Sequence, residues 1–188
     1  MASGAREIVL TGIDITSYSD GGQDLGDLLL ALRDLPARVR LGSLEEGVVT
    51  REFLEKMKAA GNVCEHFHLS AQSGSDGVLA SMNRRYTRAQ YLEACALIRS
   101  YFPDAAITTD IIVGFPTERE EDFLRSLSLV EEAGFARVHA FPYSRRTGTN
   151  AAKLADLPSS LKKERMGRML TAAAAAQERW LARFEKRM

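Results

Sequence analysis

The chain has 188 residues, 45% hydrophobic and 27% charged, enough to bury one sizeable core because the buried share of surface rises with length. Lys plus Arg equals Asp plus Glu at 25 each, so global charge selects neither nucleic acid nor membrane as a partner. No stretch approaches the ~18 apolar residues of a membrane span, and Met1 to Arg6 lack the apolar region of a secretory signal, so the expected location is the cytoplasm and no membrane partner is expected.

Short apolar runs alternate with amphipathic stretches, the pattern of parallel strands covered by helices. Glu7 to Gly12 is the first strand, and Leu25, Leu28, Leu29 and Leu32 follow at helical spacing. Arg38 to Ser43 is the second, with a helix opening at Thr50 as N-cap and turning Phe53, Leu54 and Met57 inward. His66 to Ala71 is the third; the polar turn Gln72-Ser-Gly-Ser-Asp76 leads into a short helix and a longer one. The longer helix starts at the capping box Thr87-x-x-Gln90 and carries Tyr91, Cys95 and Ile98 on one face. Ala106 to Val113 is the fourth strand; it stops at Gly114-Phe-Pro116, with Thr117-x-x-Glu120 expected to cap the next helix. Arg137 to Tyr143 is the fifth, and an Ala-rich terminal helix follows Pro158. The expected fold class is α/β, with about five parallel strand-helix units plus a C-terminal helix. Residues 1–158 are expected to form an open sheet or part of a (β/α) barrel, and 159–188 the last helix of the same domain.

Charge is not even locally. From Ser159 on there are eight bases, including Lys186 and Arg187, against three acids, leaving +5 there and −5 elsewhere. This helix is either a nucleic-acid contact or a solvated face. Cys64 and Cys95 belong to no C-x-x-C cluster, which argues against a disulfide framework; Cys95 reads as a small buried hydrophobe.

In parallel α/β folds, ligands gather at the carboxyl ends of strands. That rule selects Thr11, Gly12, Ser43, Glu45, Gln72, Ser73, Asp110, Gly114, Tyr143, Ser144 and Arg145. Asp110 carries the most information, since a carboxylate inside an apolar strand must bind a ligand or pair with a partner such as Arg84 or a backbone amide. Gly114 suits a strand-to-helix turn, and Ser75 and Asp76 read as helix caps. His66 and His68 share one strand face without an evident third metal ligand. Tyr86, Tyr91 and Trp180 could stack on bases or fill the core.

Six ordered runs together resemble the radical-SAM methylthiotransferases. They are Glu7-Ile-Val-Leu-Thr-Gly-Ile-Asp-Ile-x-Ser-Tyr18, Leu41-Gly-Ser-Leu-Glu45, His66-Phe-His-Leu-Ser-x-Gln-Ser-Gly-Ser-Asp76, Met82-Asn-Arg-Arg-Tyr-Thr87, Thr109-Asp-Ile-Ile-Val-Gly-Phe-Pro116 and Phe141-Pro-Tyr-Ser-x-Arg-x-Gly-Thr149. The third and sixth are most similar to the MtaB branch, which modifies threonylcarbamoyl-adenosine next to the tRNA anticodon; the MiaB and RimO branches look less similar there. The resemblance implies a partial radical-SAM (β/α) barrel binding S-adenosylmethionine. It gives Glu45 to ribose hydroxyls, Gln72 and Arg84 to the ribose and methionyl parts, Asp110 to a further polar contact and Gly114 to close approach of the adenine. Ser73 joins this cofactor set, and Tyr143, Ser144 and Arg145 are the substrate candidates. It also implies tRNA as substrate, an electron donor, and [4Fe-4S] clusters held by a C-x-x-x-C-x-x-C loop one strand before Glu7.

That cysteine loop, the family's amino-terminal cluster domain and its carboxyl-terminal TRAM domain have no match in these 188 residues. The expectation is therefore a chain that holds cofactor and substrate, has no metal ligands of its own, and is inactive alone. The alternatives are a tRNA-binding module using the basic tail with Arg145 and Arg146, and a RimO-like enzyme acting on protein.

Overall fold

A computed structural model describes residues 4–185, so Lys186 and Arg187 of the basic tail lie outside the described residues. Along the chain run β1 (Glu7–Leu10), α1 (Leu25–Ala31), β2 (Arg38–Leu41), β3 (Ser43–Leu44), α2 (Arg51–Ala60), β4 (His66–Leu69), α3 (Asp76–Ser81) and α4 (Arg88–Tyr101). Then come β5 (Ala106–Val113), α5 (Glu120–Ala133), β6 (Arg137–Pro142) and the long α6 (Ser159–Glu185). The pairs β1 with β2, β3 with β4 and β5 with β6 are all parallel, which makes the fold α/β as expected. No helix among the described residues is long and apolar enough to cross a membrane.

The expected second strand is divided at Gly42. Val39 of β2 registers with Ile8 of β1, whereas Ser43 of β3 registers with His68 of β4. Gly42 permits the break: its N–H donates to the Leu10 carbonyl at 2.8 Å, and a Cβ there would meet that oxygen at 3.2 Å.

The chain divides into two compact units, one running to Leu69 and including Glu93–Ile107, the other taking Ser70–Leu92 and the described residues from Thr108 on. In the first unit α1 packs on α2, burying Leu25, Leu29, Phe53, Leu54 and Met57. Each such side chain contributes about 1.5–3 kcal/mol of transfer free energy. Thr50 accepts the Phe53 N–H at 3.1 Å, and Gly61, at φ 75°, ends α2. His66 and His68 sit half-exposed on the strand face opposite buried Phe67 and Leu69.

Glu7 on β1 accepts from Arg40 Nε at 2.7 Å and lies 3.0 Å from Arg38 Nη2. The Arg40 hydrogen bond holds the Glu7 carboxyl below its ordinary value. A depressed carboxyl stabilises the fold above the unfolded pKa, about 4.3, and loses that effect as pH falls through the lower folded value. The difference in urea midpoint between wild type and Glu7→Gln should therefore shrink as pH is lowered from about 5 toward 3. A constant difference across that range would contradict this assignment.

In the second unit β5 buries Thr109, Ile111 and Val113, and α5 buries Phe123, Leu129, Val130 and Ala133. The α5 start corrects the sequence expectation. Its N-cap is Arg119, whose N–H donates to Asp122 Oδ2 at 3.0 Å, instead of Thr117 with Glu120. The cause is the preceding turn. Glu118 N–H donates to the Phe115 carbonyl at 2.8 Å, and the Glu118 carboxylate is turned inward, only 3% of the residue exposed. There Oε1 accepts from Gly114 N–H at 3.0 Å and Arg165 Nη1 at 2.7 Å. Burial pushes the Glu118 carboxyl up, opposed by those two donors.

Arg165 of α6 is equally buried, 3% exposed, and also donates to the Glu118 carbonyl at 3.1 Å. Removing one member of a buried pair strands the other charge. Arg165→Met should cost about 3–5 kcal/mol in urea unfolding, and adding Glu118→Leu should recover part of it. A single-variant loss below about 1 kcal/mol would show that the pair does not anchor α6.

Candidate functional site

Where β4 ends, Tyr86 donates its hydroxyl to the carbonyls of Ser70 at 2.9 Å and Ala71 at 3.1 Å, and Ala71 N–H donates to Thr109 Oγ1 at 3.0 Å. Tyr91, 1% exposed, donates to the same Thr109 oxygen at 3.2 Å. These bonds deliver the backbone of Gln72 beside β5, where Gln72 N–H donates to the Asp110 carbonyl at 2.8 Å and Ile112 N–H donates to the Gln72 carbonyl at 2.9 Å. Gln72 stands at φ 62°, a left-handed conformation costly for a residue with a Cβ. The other non-glycine described at positive φ is Asn83, at 60°, immediately before Arg84. Such conformations persist where surrounding bonds over-determine them, and they mark functional sites.

Gln72, Arg84 and Asp110 line one cavity of ≈ 600 Å³ within the second unit, with Ser144, Arg146 and Thr149 as its other polar groups. Ile112, Phe115, Phe141, Pro142 and Tyr143 supply its apolar surface. Tyr143 is fixed by its N–H, which donates to the Val113 carbonyl at 2.8 Å, and its ring meets Phe115 edge-on at 5.2 Å between centroids. Its hydroxyl is buried and has no protein partner among the described residues. Asp110 Oδ2 accepts from Ser70 Oγ at 3.0 Å. The guanidinium groups of Arg84 and Arg146 make no hydrogen bond or ion pair among the described residues. The cavity thus offers two free cationic forks, a carboxylate, an amide and an aromatic floor, a set suited to a charged ligand carrying a flat ring.

The other expected site residues fall elsewhere. Ser73 is 1% exposed and outside the cavity lining, its Oγ accepting from Ser75 N–H at 3.2 Å and lying 3.4 Å from Ser126 Oγ. Gly114, at φ 77°, ends β5; a Cβ there would come within 2.4 Å of Lys162, so only glycine lets α6 approach. Arg145 Nη2 donates to the Leu154 carbonyl at 2.9 Å, and its neighbour Arg146 faces the cavity. Ser75 donates to Asp122, and Asp76 caps α4 by accepting the Arg88 N–H at 2.6 Å.

Glu45 belongs to the first unit. It lines a cavity of ≈ 440 Å³ with Thr16, Asp24, Thr50 and Glu52 among its polar neighbours. Sequence reasoning passed over Ile112, Phe115, Phe141 and Thr149. Phe141 and Thr149 bound the run Phe141-Pro-Tyr-Ser-x-Arg-x-Gly-Thr149, from which only Tyr143, Ser144 and Arg145 are selected as site candidates by sequence.

A family model, Radical SAM superfamily, matches residues 2–130. The chain is 44% identical over 167 residues to the threonylcarbamoyladenosine tRNA methylthiotransferase MtaB of Thermotoga maritima, covering 87% of this chain and 38% of that protein. It is 38% identical over 184 residues to the tRNA-2-methylthio-N(6)-dimethylallyladenosine synthase of Desulfitobacterium hafniense, covering 95% of this chain and 41% of that protein. The chain therefore spans about two-fifths of the length of these curated relatives. Among solved structures, coproporphyrinogen III oxidase (HemN) from Escherichia coli, described as a Radical SAM enzyme, superposes with a TM-score of 0.71 at 18% identity, covering 91% of this chain and 40% of that chain. At that identity the likeness is one of fold, and it agrees with the parallel α/β architecture. With the family match spanning more than half of its length, the chain belongs to the Radical SAM superfamily.

Proposed function

We propose that the cavity around Gln72, Arg84 and Asp110 binds S-adenosylmethionine, and that this chain is the cofactor- and substrate-facing part of a tRNA methylthiotransferase. The observation that carries this reading is the convergence of Asp110, the left-handed Gln72 and Arg84, whose guanidinium has no ion-pair partner among the described residues, on an aromatic-floored cavity in a Radical SAM chain. The residues fit the cofactor. The Arg84 fork suits its carboxylate, Gln72 and Asp110 suit its ammonium and hydroxyl groups, and Ile112 and Phe115 suit its adenine ring. The ribose role of Glu45 rests on the resemblance alone. When bound, S-adenosylmethionine supplies the methyl group and the hydrogen-abstracting chemistry of methylthiolation.

An iron–sulfur cluster is a different matter, since it needs several cysteine thiolates. The chain has two cysteines. Cys95 is 1% exposed, and burial raises the Cys64 thiol, whose Sγ lies 3.8 Å from Glu7 Oε2. Among the described residues no group of three or more His, Cys, Asp or Glu side chains is placed to hold a metal ion. The present residues do not fit the cluster, so their proposed work is confined to binding, orienting and shielding cofactor and substrate.

For the substrate we favour the C2 position of N6-threonylcarbamoyladenosine next to a tRNA anticodon, after the name of the Thermotoga maritima relative. Tyr143, Ser144 and Arg146 stand nearest to that role. In the alternative reading, a bare tRNA-binding module using the basic tail with Arg145 and Arg146, three tail bases are already paired: Lys162 with Asp156 at 2.8 Å, Arg165 with Glu118 at 2.7 Å and Arg168 with Glu120 at 2.7 Å.

In calorimetric titration of the 188-residue chain, S-adenosylmethionine should bind, and Arg84→Gln and Asp110→Asn should each weaken it about tenfold or more with melting curves unchanged. Unaltered affinity in both variants would remove the cavity assignment. Incubation with iron and sulfide should yield no stoichiometric cluster absorbance, and a cluster bound one per chain would contradict the division of labour proposed above.

A further inference from the structure

We propose that Arg146 is the residue that reads an anionic group, a carboxylate or a phosphate, on the nucleotide substrate. This rests on the cofactor reading of the cavity and goes beyond it, since it concerns the second ligand. Two arginines, Arg84 and Arg146, line the cavity with one carboxylate, Asp110, and neither guanidinium is ion-paired among the described residues. S-adenosylmethionine brings a single carboxylate together with a sulfonium and an ammonium, so it can satisfy one guanidinium and leaves the cavity more positive than before. A further ligand entering beside it is favoured by negative charge and opposed by more positive charge.

Arg146 is placed to receive that charge. Its carbonyl accepts from Thr149 Oγ1 at 2.8 Å and from Thr149 N–H at 3.3 Å, and Gly148, at φ 86°, closes the turn. Thr149 lines the same cavity. The turn holds the Arg146 backbone at the cavity while its side chain stays unengaged, which lowers the ordering cost of a bidentate contact. Arg145, the residue sequence reasoning preferred, is committed to the Leu154 carbonyl. Two chemistries meet the requirement: the carboxylate of a threonylcarbamoyl group, or the phosphate of the nucleotide itself.

The test titrates the 188-residue chain, with and without saturating S-adenosylmethionine, with adenosine, adenosine 5′-monophosphate and free N6-threonylcarbamoyladenosine. At least one anionic probe should bind about tenfold tighter than adenosine, and Arg146→Gln should abolish that preference while leaving the melting curve unchanged. Preference for the monophosphate identifies the phosphate as the recognised group, and preference for the threonylcarbamoyl nucleoside identifies the carboxylate. Equal binding of all three probes, or a preference that survives in Arg146→Gln, overturns the proposal. If S-adenosylmethionine fails to bind while an Arg146-dependent anion preference persists, the cofactor reading falls and the anion assignment stands.

Discussion

The second unit depends on a main-chain clamp between Gln72 and β5. Two hydrogen bonds, Gln72 N–H to the Asp110 carbonyl at 2.8 Å and Ile112 N–H to the Gln72 carbonyl at 2.9 Å, hold a left-handed glutamine beside a strand. Gln72 lines the cavity together with Asp110 and Ile112. The conformation is costly, and the segment around it carries the compensation: Tyr86 on two consecutive carbonyls, Thr109 on the Ala71 amide and Ser126 Oγ on the Gly74 amide at 2.9 Å. Gly74 is required in that support, because a Cβ would lie 2.4 Å from the Arg125 carbonyl oxygen.

A second constraint fixes the far wall. Glu118 and Arg165 meet inside the protein and hold the Gly114 amide, so the turn that carries Phe115 is tied to α6. Lys162, one turn earlier, lies over the Tyr143 ring at 5.8 Å and within 3.4 Å of the Tyr143 carbonyl. The basic residues of α6 that looked available in sequence for nucleic acid are thus used partly as internal fasteners. For Lys162, Arg165 and Arg168 the charge is paired with Asp156, Glu118 and Glu120, which a sum of charges over the segment does not reveal.

Much of this was legible in the residues. Parallel strands end in polar side chains where a ligand sits, so Gln72, Asp110 and Tyr143 could be named from the pattern, and Arg84 from the resemblance. What stayed hidden needed long-range contacts. The division at Gly42 follows from the neighbour each half finds, β1 for Val39 and β4 for Ser43, and no local propensity encodes that. The cap of α5 was misplaced because Thr117-x-x-Glu120 has the right spacing, yet Glu118 between them is drawn inward by Arg165, 47 positions away. Arg145 and Arg146 are alike in sequence, and only the carbonyl of Leu154 separates their roles.

The central claim is that the cavity lined by Gln72, Arg84 and Asp110 holds S-adenosylmethionine. Amide hydrogen exchange of the 188-residue chain, measured with and without the cofactor, addresses it at single-residue level. Added cofactor should slow exchange selectively at Gln72, Ile112 and Gly114, whose N–H groups bond to Asp110, Gln72 and Glu118. Unchanged exchange at these three amides under saturating cofactor would contradict the account.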